Sequence, residues 1–172
     1  MSVSPAILIV DDEQGILDTL RILLKNEGFD VVTAQGGKAG MEQLKASAPD
    51  IVLTDIKMPG VTGLEILAAV KEQDPETPVI LMTAQASLQS AIQAVNEGAF
   101  HYVQKPFSND EIVALCRRAA EVRRLKAENK HSLAATHFKT AMRLNPLNEE
   151  ARREMRLIEI RIRSMREKGL TN

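Results

Sequence analysis

The sequence has a single cysteine and no apolar run long enough to cross a membrane. Because Cys116 has no second cysteine to pair with and no metal-ligand spacing around it, we expect a packed helix residue in a reducing compartment. The apolar stretch at 6–10 is five residues long and has no basic flank, so it is too short for a signal peptide or a membrane span. These absences favour a cytoplasmic protein with no membrane partner.

Two common functional motifs are also missing. The chain contains no GxxxxGKS or GxxxxGKT phosphate loop, which argues against a P-loop ATPase within it. No helix-turn-helix pattern of a DNA-binding domain is recognisable either. The function must therefore be sought in other features of the 172 residues.

The net charge of −1 conceals two parts of opposite sign. From Arg117 to the end, 15 Lys and Arg stand against 7 Asp and Glu, whereas 7 basic and 16 acidic residues precede it. The resulting net charges of +8 and −9 indicate two chemically different parts. We predict an acidic domain over 1–121, a helical linker over 122–130 and a basic α-helical extension over 131–172.

The acidic part alternates short β-rich runs with helical segments. Gly, Pro, Asp or Asn bound the runs, which lie at 6–10, 30–34, 50–55, 78–83 and 101–104. Apolar residues at helical spacing predict helices over 14–27, 63–74 and 87–97. Strand and helix units of this length require right-handed crossovers. We therefore predict an α/β fold with a doubly wound five-stranded parallel sheet, followed by a C-terminal α-helical extension.

Polar residues collect where the predicted strands end, in the order Asp11, Asp12, Glu13, Asp55, Thr83, Lys105. Ligands of an open parallel sheet bind beyond the carboxyl ends of its strands. Clustered carboxylates repel one another unless a hard cation binds between them, and Mg²⁺ prefers carboxylates, a carbonyl and waters. A carboxylate in such a site can attack a phosphoryl group while a lysine and a threonine hold its oxygens. The pattern predicts a phosphoacceptor site.

These residues carry a resemblance to a known family. The segments DDE at 11–13, VLTDIKMPG at 52–60, MTA at 82–84 and GAFHYVQKPF at 98–107 resemble the receiver domain of bacterial two-component response regulators, typified by the chemotaxis protein CheY. The resemblance covers roughly residues 4–121, and the segment 82–107 followed by 122–130 resembles receivers of the NtrC type. It implies a flavodoxin-like sheet with strand order 2-1-3-4-5.

The resemblance also implies a role for each acidic residue. Asp55 would accept the phosphoryl group from a histidine kinase or a phosphotransfer protein. Asp12, Asp55 and the backbone carbonyl of Lys57 would bind Mg²⁺ directly, whereas Asp11 would act through a bound water. Such a chain is a phosphoacceptor rather than an independent enzyme, with only weak self-phosphorylation and slow autodephosphorylation.

Other residues would hold the phosphoryl group or respond to it. By the resemblance, Thr83 and Lys105 would hold its oxygens, and Tyr102 would turn inward when Thr83 moves toward the phosphate. The Lys105–Pro106 peptide is expected to be cis. We interpret Glu13 as a first-turn helix residue that the helix dipole favours. Phosphorylation would then switch protein–protein interaction.

A haloacid-dehalogenase-type phosphatase is an alternative, because it also uses a strand-end aspartate as nucleophile. That family resembles a pattern with a second Asp two residues after the first. Lys57 stands at this position, which disfavours the alternative.

The extension has a partial tetratricopeptide-like pattern. The spacing of the second helix of such a repeat recurs at Ala134, Phe138, Ala141 and Pro146. The preceding segment lacks the large aromatic, leucine and glycine of that family, so a helical hairpin that shares only this packing pattern stays open. Both interpretations predict helices near 132–144 and 147–167, with Pro146 at the break.

The last predicted helix combines an apolar stripe with many arginines. The stripe is spaced 4, 3, 4, 3 and comprises Ala151, Met155, Ile158, Ile162 and Met165. It must be buried on the hairpin, on a second chain or on a partner, so we expect a protein partner and leave a homodimer open. Because arginines attract nucleic acid phosphates, the alternative is a transcriptional or RNA-level regulator that binds nucleic acid through the basic extension. The single aromatic residue of the extension, Phe138, disfavours that alternative.

Overall fold

A computed structural model describes residues 4–84, 96–144 and 149–167. The chain divides into two compact units after Arg123, one comprising Ser4–Arg123 and the other containing the described residues from Arg124 onward. No helix in these described ranges is long and apolar enough to span a membrane.

The first unit contains a five-stranded parallel sheet. Its strands are β1 (Ala6–Asp11), β2 (Asp30–Gln35), β3 (Ile51–Asp55), β4 (Val79–Thr83) and β5 (His101–Gln104). The order across the sheet is β2-β1-β3-β4-β5, and each neighbouring pair is parallel. The predicted fold class and strand order are confirmed.

The described helices are α1 (Gln14–Asn26), α2 (Gly37–Ala46), α3 (Gly63–Gln73), α4 (Asn109–Leu144) and α5 (Glu149–Glu167). Helices α1 and α3 each end one residue before the predicted boundary. Most of the helix predicted over 87–97 lies outside the described residues.

Helices cover both faces of the sheet, so its central strands are buried on both sides. Alternate strand residues contribute to two separate cores. One core packs strand residues such as Ile9 and Leu53 against α1 and the start of α4, where Cys116 is fully buried. The other packs Val10 and Leu81 among residues of α2 and α3. Burial raises the pKa of the Cys116 thiol to about 12, in keeping with the predicted packed residue.

Helix α2 adds a helix to those that the sequence pattern predicts. Its segment contains Gly37 and Gly40, and glycine has low helix propensity. The structure shows why these positions are glycine. A Cβ atom on Gly40 would lie 2.7 Å from Cγ1 of Val10, and one on Gly37 would lie 1.9 Å from the carbonyl oxygen of Val61. The helix therefore approaches its neighbours more closely than side chains would allow.

Helix α4 runs without interruption for 36 residues and includes the helical linker predicted over 122–130. Residues 118–144 therefore do not contain the turn that separates the two helices of a tetratricopeptide repeat, which corrects the repeat-like interpretation of this segment. The separate helix expected near 132–144 is the last part of α4. Pro146 lies outside the described residues.

Helix α5 is described over Glu149–Glu167, within the helix predicted near 147–167, and residues 145–148 lie outside the described residues. Met155 and Ile158, two members of the apolar stripe, are buried, whereas Leu157 and Ile160 are exposed. The helix therefore has an apolar surface on two opposite sides.

Candidate functional site

Three carboxylates meet at the carboxyl end of the sheet. Asp11 ends β1, Asp12 follows it, and Asp55 ends the neighbouring strand β3. One oxygen from each lies within 4.8 Å of one from each of the others. Asp11 and Asp55 are 0% and 6% exposed, whereas Asp12 faces solvent. The structure thus brings together the three aspartates that the sequence indicated.

Lys105 places one ammonium group among these acids. Its Nζ lies 2.7 Å from Oδ2 of Asp11 and 3.2 Å from Oδ1 of Asp55. The backbone fixes Lys105 beside β4, because its N–H donates to the carbonyl of Thr83 at 2.7 Å. The Lys105–Pro106 peptide is cis, as expected.

Glu13 differs from its prediction. Helix α1 begins at Gln14, so Glu13 is the residue before the helix rather than part of its first turn, and its side chain makes no capping hydrogen bond. Its Oε1 instead lies 3.9 Å from Nζ of Lys105. The sequence placed Glu13 beside Asp11 and Asp12 but could not reveal a contact with a residue 92 positions away.

The charges of this cluster shift two pKa values. Burial raises the pKa of Asp55, and the attraction of Lys105 offsets this effect only in part. For Lys105, burial favours the neutral amine, but its hydrogen bond to Asp11 and the charges of Asp11 and Asp55 outweigh burial and raise its pKa. Lys105 is therefore protonated at neutral pH, whereas burial makes the ionised form of Asp55 less favourable than that of an exposed aspartate.

The loop after Asp55 is tightly fixed at both ends. The Ile56 N–H donates to the carbonyl of Met82 at 2.8 Å, and the Gly63 N–H donates to the carbonyl of Ile56 at 3.0 Å. A Cβ atom on Gly63 would lie only 2.1 Å from the Asp55 carbonyl oxygen. Lys57 is exposed on this loop. The loop thus has little freedom to move Asp55.

The two predicted switch residues lie on neighbouring strands. Thr83 ends β4 and is 1% exposed, at the same edge of the sheet as Asp55. Tyr102 is half-buried in β5, beside Leu81 of β4, and packs on the core formed with α2 and α3.

The donor set fits a magnesium ion. Carboxylate oxygens are hard ligands of the kind that Mg²⁺ binds. The three aspartates together carry more negative charge than one lysine neutralises, and the exposed Asp12 lies on the solvent side. A cation would therefore relieve their repulsion.

An open groove of about 630 Å³ borders Lys105. Its lining includes Ile16 and Thr19 of α1 and Phe107 after β5.

Comparison with known proteins identifies relatives of the first unit. A family model described as response regulator receiver domain matches residues 7–117. The DNA-binding transcriptional regulator NtrC of Escherichia coli K12 is 42% identical over 111 residues, which are 64% of this chain and 24% of NtrC. The C4-dicarboxylate transport transcriptional regulatory protein DctD of Rhizobium meliloti is 35% identical over 130 residues, 76% of this chain and 28% of DctD. The chain thus spans about a quarter of the length of these curated relatives.

Solved structures agree with this match. A response regulator receiver domain protein from Clostridium thermocellum has a TM-score of 0.66 and 34% identity, covering 70% of this chain and 98% of its own. NtrX from Brucella abortus has a TM-score of 0.72 and 32% identity, covering 78% of this chain and 30% of its own.

Proposed function

The chain belongs to the response regulator receiver domain family, and from this premise we propose that it is a phosphorylation switch whose phosphoacceptor is Asp55. The observation that carries the proposal is the position of the Asp55 carboxylate. It lies at a strand end, beside two further aspartates and 3.2 Å from the ammonium of Lys105. A nucleophile, a cation site and a fixed positive charge are thereby combined in one place.

The reaction that this arrangement supports is phosphoryl transfer to a carboxylate. One Asp55 oxygen attacks the phosphorus of a phosphohistidine on a histidine kinase or a phosphotransfer protein. The new O–P bond forms as the P–N bond breaks, and its electron pair stays on the departing imidazole. The product is an acyl phosphate on Asp55.

Other residues of the site assist by position and charge. Lys105 and the hydroxyl of Thr83 would hold the phosphoryl oxygens. A magnesium ion bound by Asp12, Asp55 and the Lys57 carbonyl, with Asp11 acting through a water, would offset the charge on those oxygens. The weak self-phosphorylation and slow autodephosphorylation expected from the sequence use the same groups.

The proposed output is a change in protein–protein interaction. When Thr83 moves toward the phosphoryl group, it vacates space into which the half-buried Tyr102 can turn. The receiver would comprise 1–121, and the linker at 122–130 and the extension at 131–172 would carry the change to a protein partner or to a second copy. We place this relay in the cytoplasm.

The test is phosphorylation by a small phosphodonor. The wild type is incubated with acetyl phosphate and Mg²⁺, and its intact mass is compared with that of Asp55→Asn. We expect one phosphoryl group on the wild type when Mg²⁺ is present, none when Mg²⁺ is chelated before the phosphodonor is added, and none on the variant. Asp74→Asn, on the opposite end of the sheet, should be phosphorylated like the wild type. Equal labelling of Asp55→Asn would contradict the proposal.

A second candidate function rests on the exposed arginines of α5, which include Arg152, Arg153 and Arg156. Such a surface would attract nucleic acid phosphates. Binding of generic DNA or RNA that weakens steeply with salt, and that is lost when these arginines become glutamine, would favour it over a protein partner.

A further inference from the structure

The turn between β2 and α2 contacts both parts of the acidic site. It consists of Gln35, Gly36 and Gly37, which we call the QGG turn. Strand β2 lies beside β1 and is separated from β3 by it. The QGG turn therefore has to cross the end of β1 to reach the loop that follows Asp55.

The first part of the QGG turn holds the end of β1. The Gly36 N–H donates to the backbone carbonyl of Asp11 at 2.9 Å. The Gln35 side chain donates from Nε2 to the backbone carbonyl of Asp12 at 3.2 Å. Gly36 has φ of 80°, a conformation that favours glycine and that directs the chain into α2. The backbones of two of the three aspartates are thus tied to this turn.

The last part of the turn holds the loop after β3. The Cα of Gly37 lies so close to Val61 that a Cβ atom would be 1.9 Å from its carbonyl oxygen and 2.7 Å from its carbonyl carbon. Val61 is two residues before Gly63, which contacts the Asp55 carbonyl in the same close manner. The loop that carries Asp55 and Lys57 is therefore packed against backbone at both Gly37 and Gly63.

We infer that the QGG turn is a positioning element that sets the spacing between the carboxylates of β1 and the carboxylate and carbonyl of the β3 loop. Gln35 and Gly37 are not among the residues that would hold the cation or the phosphoryl group, and they would act through the backbones of Asp11, Asp12 and Val61. This inference rests on the proposed function, because the spacing matters for a cation shared by the two segments.

The spacing matters because Mg²⁺ demands near-ideal octahedral geometry and tolerates displaced ligands poorly. Groups that orient metal ligands without touching the metal typically change its affinity by about 10- to 100-fold when they are altered. A side chain at position 37 would push the Val61 backbone away and displace the loop after Asp55. Loss of the Gln35 amide would release only one hydrogen bond to Asp12.

Three variants test the inference. Gly37→Ala forces the β3 loop to move, and Gln35→Met removes the Nε2 donor at an exposed position where folding is not at risk. The matched control is Gly40→Ala in the same helix, because its Cβ would meet the side chains of Val10 and Ile66 instead of loop backbone. For each protein we would measure the Mg²⁺ dissociation constant from amide NMR shifts, the urea midpoint and the phosphorylation rate.

Gly37→Ala is expected to weaken Mg²⁺ affinity by about tenfold, and Gln35→Met is expected to weaken it in the same direction by less. Gly40→Ala is expected to lower the urea midpoint and to keep the affinity within about twofold of the wild type. At saturating Mg²⁺ the phosphorylation rate of Gln35→Met should return toward that of the wild type. A purely structural role would not produce this recovery.

The inference is overturned if the variants bind Mg²⁺ like the wild type, or if Gly40→Ala loses as much affinity as Gly37→Ala. Failure of the proposed function has a different signature. If the wild type binds Mg²⁺ but accepts no phosphoryl group, the function fails, and the affinities of the variants still decide whether the QGG turn positions the site.

Discussion

At each end of the sheet, carboxylates surround one basic side chain, but the two clusters differ in how deeply their acids are buried. At the carboxyl end, Asp11 and Asp55 are buried and face Lys105. At the amino end, Asp50 and Asp74 lie 3.9 and 2.6 Å from the guanidinium of Arg123, and all three side chains are 24–43% exposed.

Each acid at the amino end also has a backbone donor, as Asp11 has at the carboxyl end, where its Oδ1 accepts from the Glu13 N–H at 3.0 Å. Asp50 accepts from the Ala6 N–H at 2.9 Å, and Asp74 accepts from the Glu76 N–H at 3.0 Å. With solvent nearby and donors for each acid, this cluster stabilises the end of the receiver without needing a further cation. Burial and the additional charge of Asp12 leave the carboxyl end with uncompensated negative charge. The two clusters therefore differ in the burial of their acids and in the number of carboxylates around one basic side chain.

The largest difference is expected when the basic residue is removed from each end. Lys105→Met leaves buried carboxylates without a positive neighbour, so we expect it to lower the free energy of unfolding by about 3 kcal/mol at neutral pH without Mg²⁺. Urea denaturation of variant and wild type measures this change. A loss no larger than that of Arg123→Met would erase the distinction between the two ends.

The contribution of Lys105 also has a defined pH dependence. Because its pKa is raised in the folded state, its stabilisation is fully present below the ordinary lysine value of 10.5 and is lost as pH rises through the folded-state value. The stability difference between wild type and Lys105→Met should therefore shrink in strongly alkaline buffer.

We expect Mg²⁺ to raise the free energy of unfolding by binding at the carboxyl end of the sheet and not at the amino end. When free Mg²⁺ is 100 times its dissociation constant, binding to the folded state alone adds about 2.7 kcal/mol to the free energy of unfolding. We expect this gain for the wild type and for Asp74→Asn, measured by urea denaturation with and without MgCl₂. Asp55→Asn should lose most of it, and an equal gain for Asp55→Asn would place the cation elsewhere.

The smallest effect is expected at the amino end. Arg123→Met breaks a partly exposed ion pair, so we expect a loss of only about 1 kcal/mol. Cys116, buried in the same helix, provides the measurement, because its thiol reacts with a disulfide reagent only when the helix opens. Labelling should accelerate by about fivefold, in proportion to the loss of stability. A phosphorylation defect in Arg123→Met would show that the two ends are not independent.

The sequence predicts the strands and the polar residues at their ends because both depend on local pattern. Asp11, Asp12 and Asp55 lie close together because β1 and β3 are parallel neighbours. Their proximity therefore follows from the strand order alone. The cis peptide before Pro106 followed from the family resemblance in the same way.

Features that depend on close backbone approach could not be predicted. Gly37 and Gly40 look unfavourable for a helix. Glycine is needed there because the backbone approaches Val61 and Val10, which are distant in sequence. The contact of Gln35 with the Asp12 carbonyl likewise needs the packed turn. The sequence did not predict that α4 is one continuous helix, because the repeat-like spacing around Phe138 suggested a separate helix there.

The most direct test of the account is to locate the phosphoryl group chemically. After reaction with acetyl phosphate and Mg²⁺, borohydride reduction converts an acyl-phosphorylated aspartate to homoserine, which peptide mass spectrometry then locates. The account predicts homoserine at position 55 and at no other aspartate. Homoserine at position 11 or 12 with Asp55 unmodified, or no homoserine at all, would contradict it.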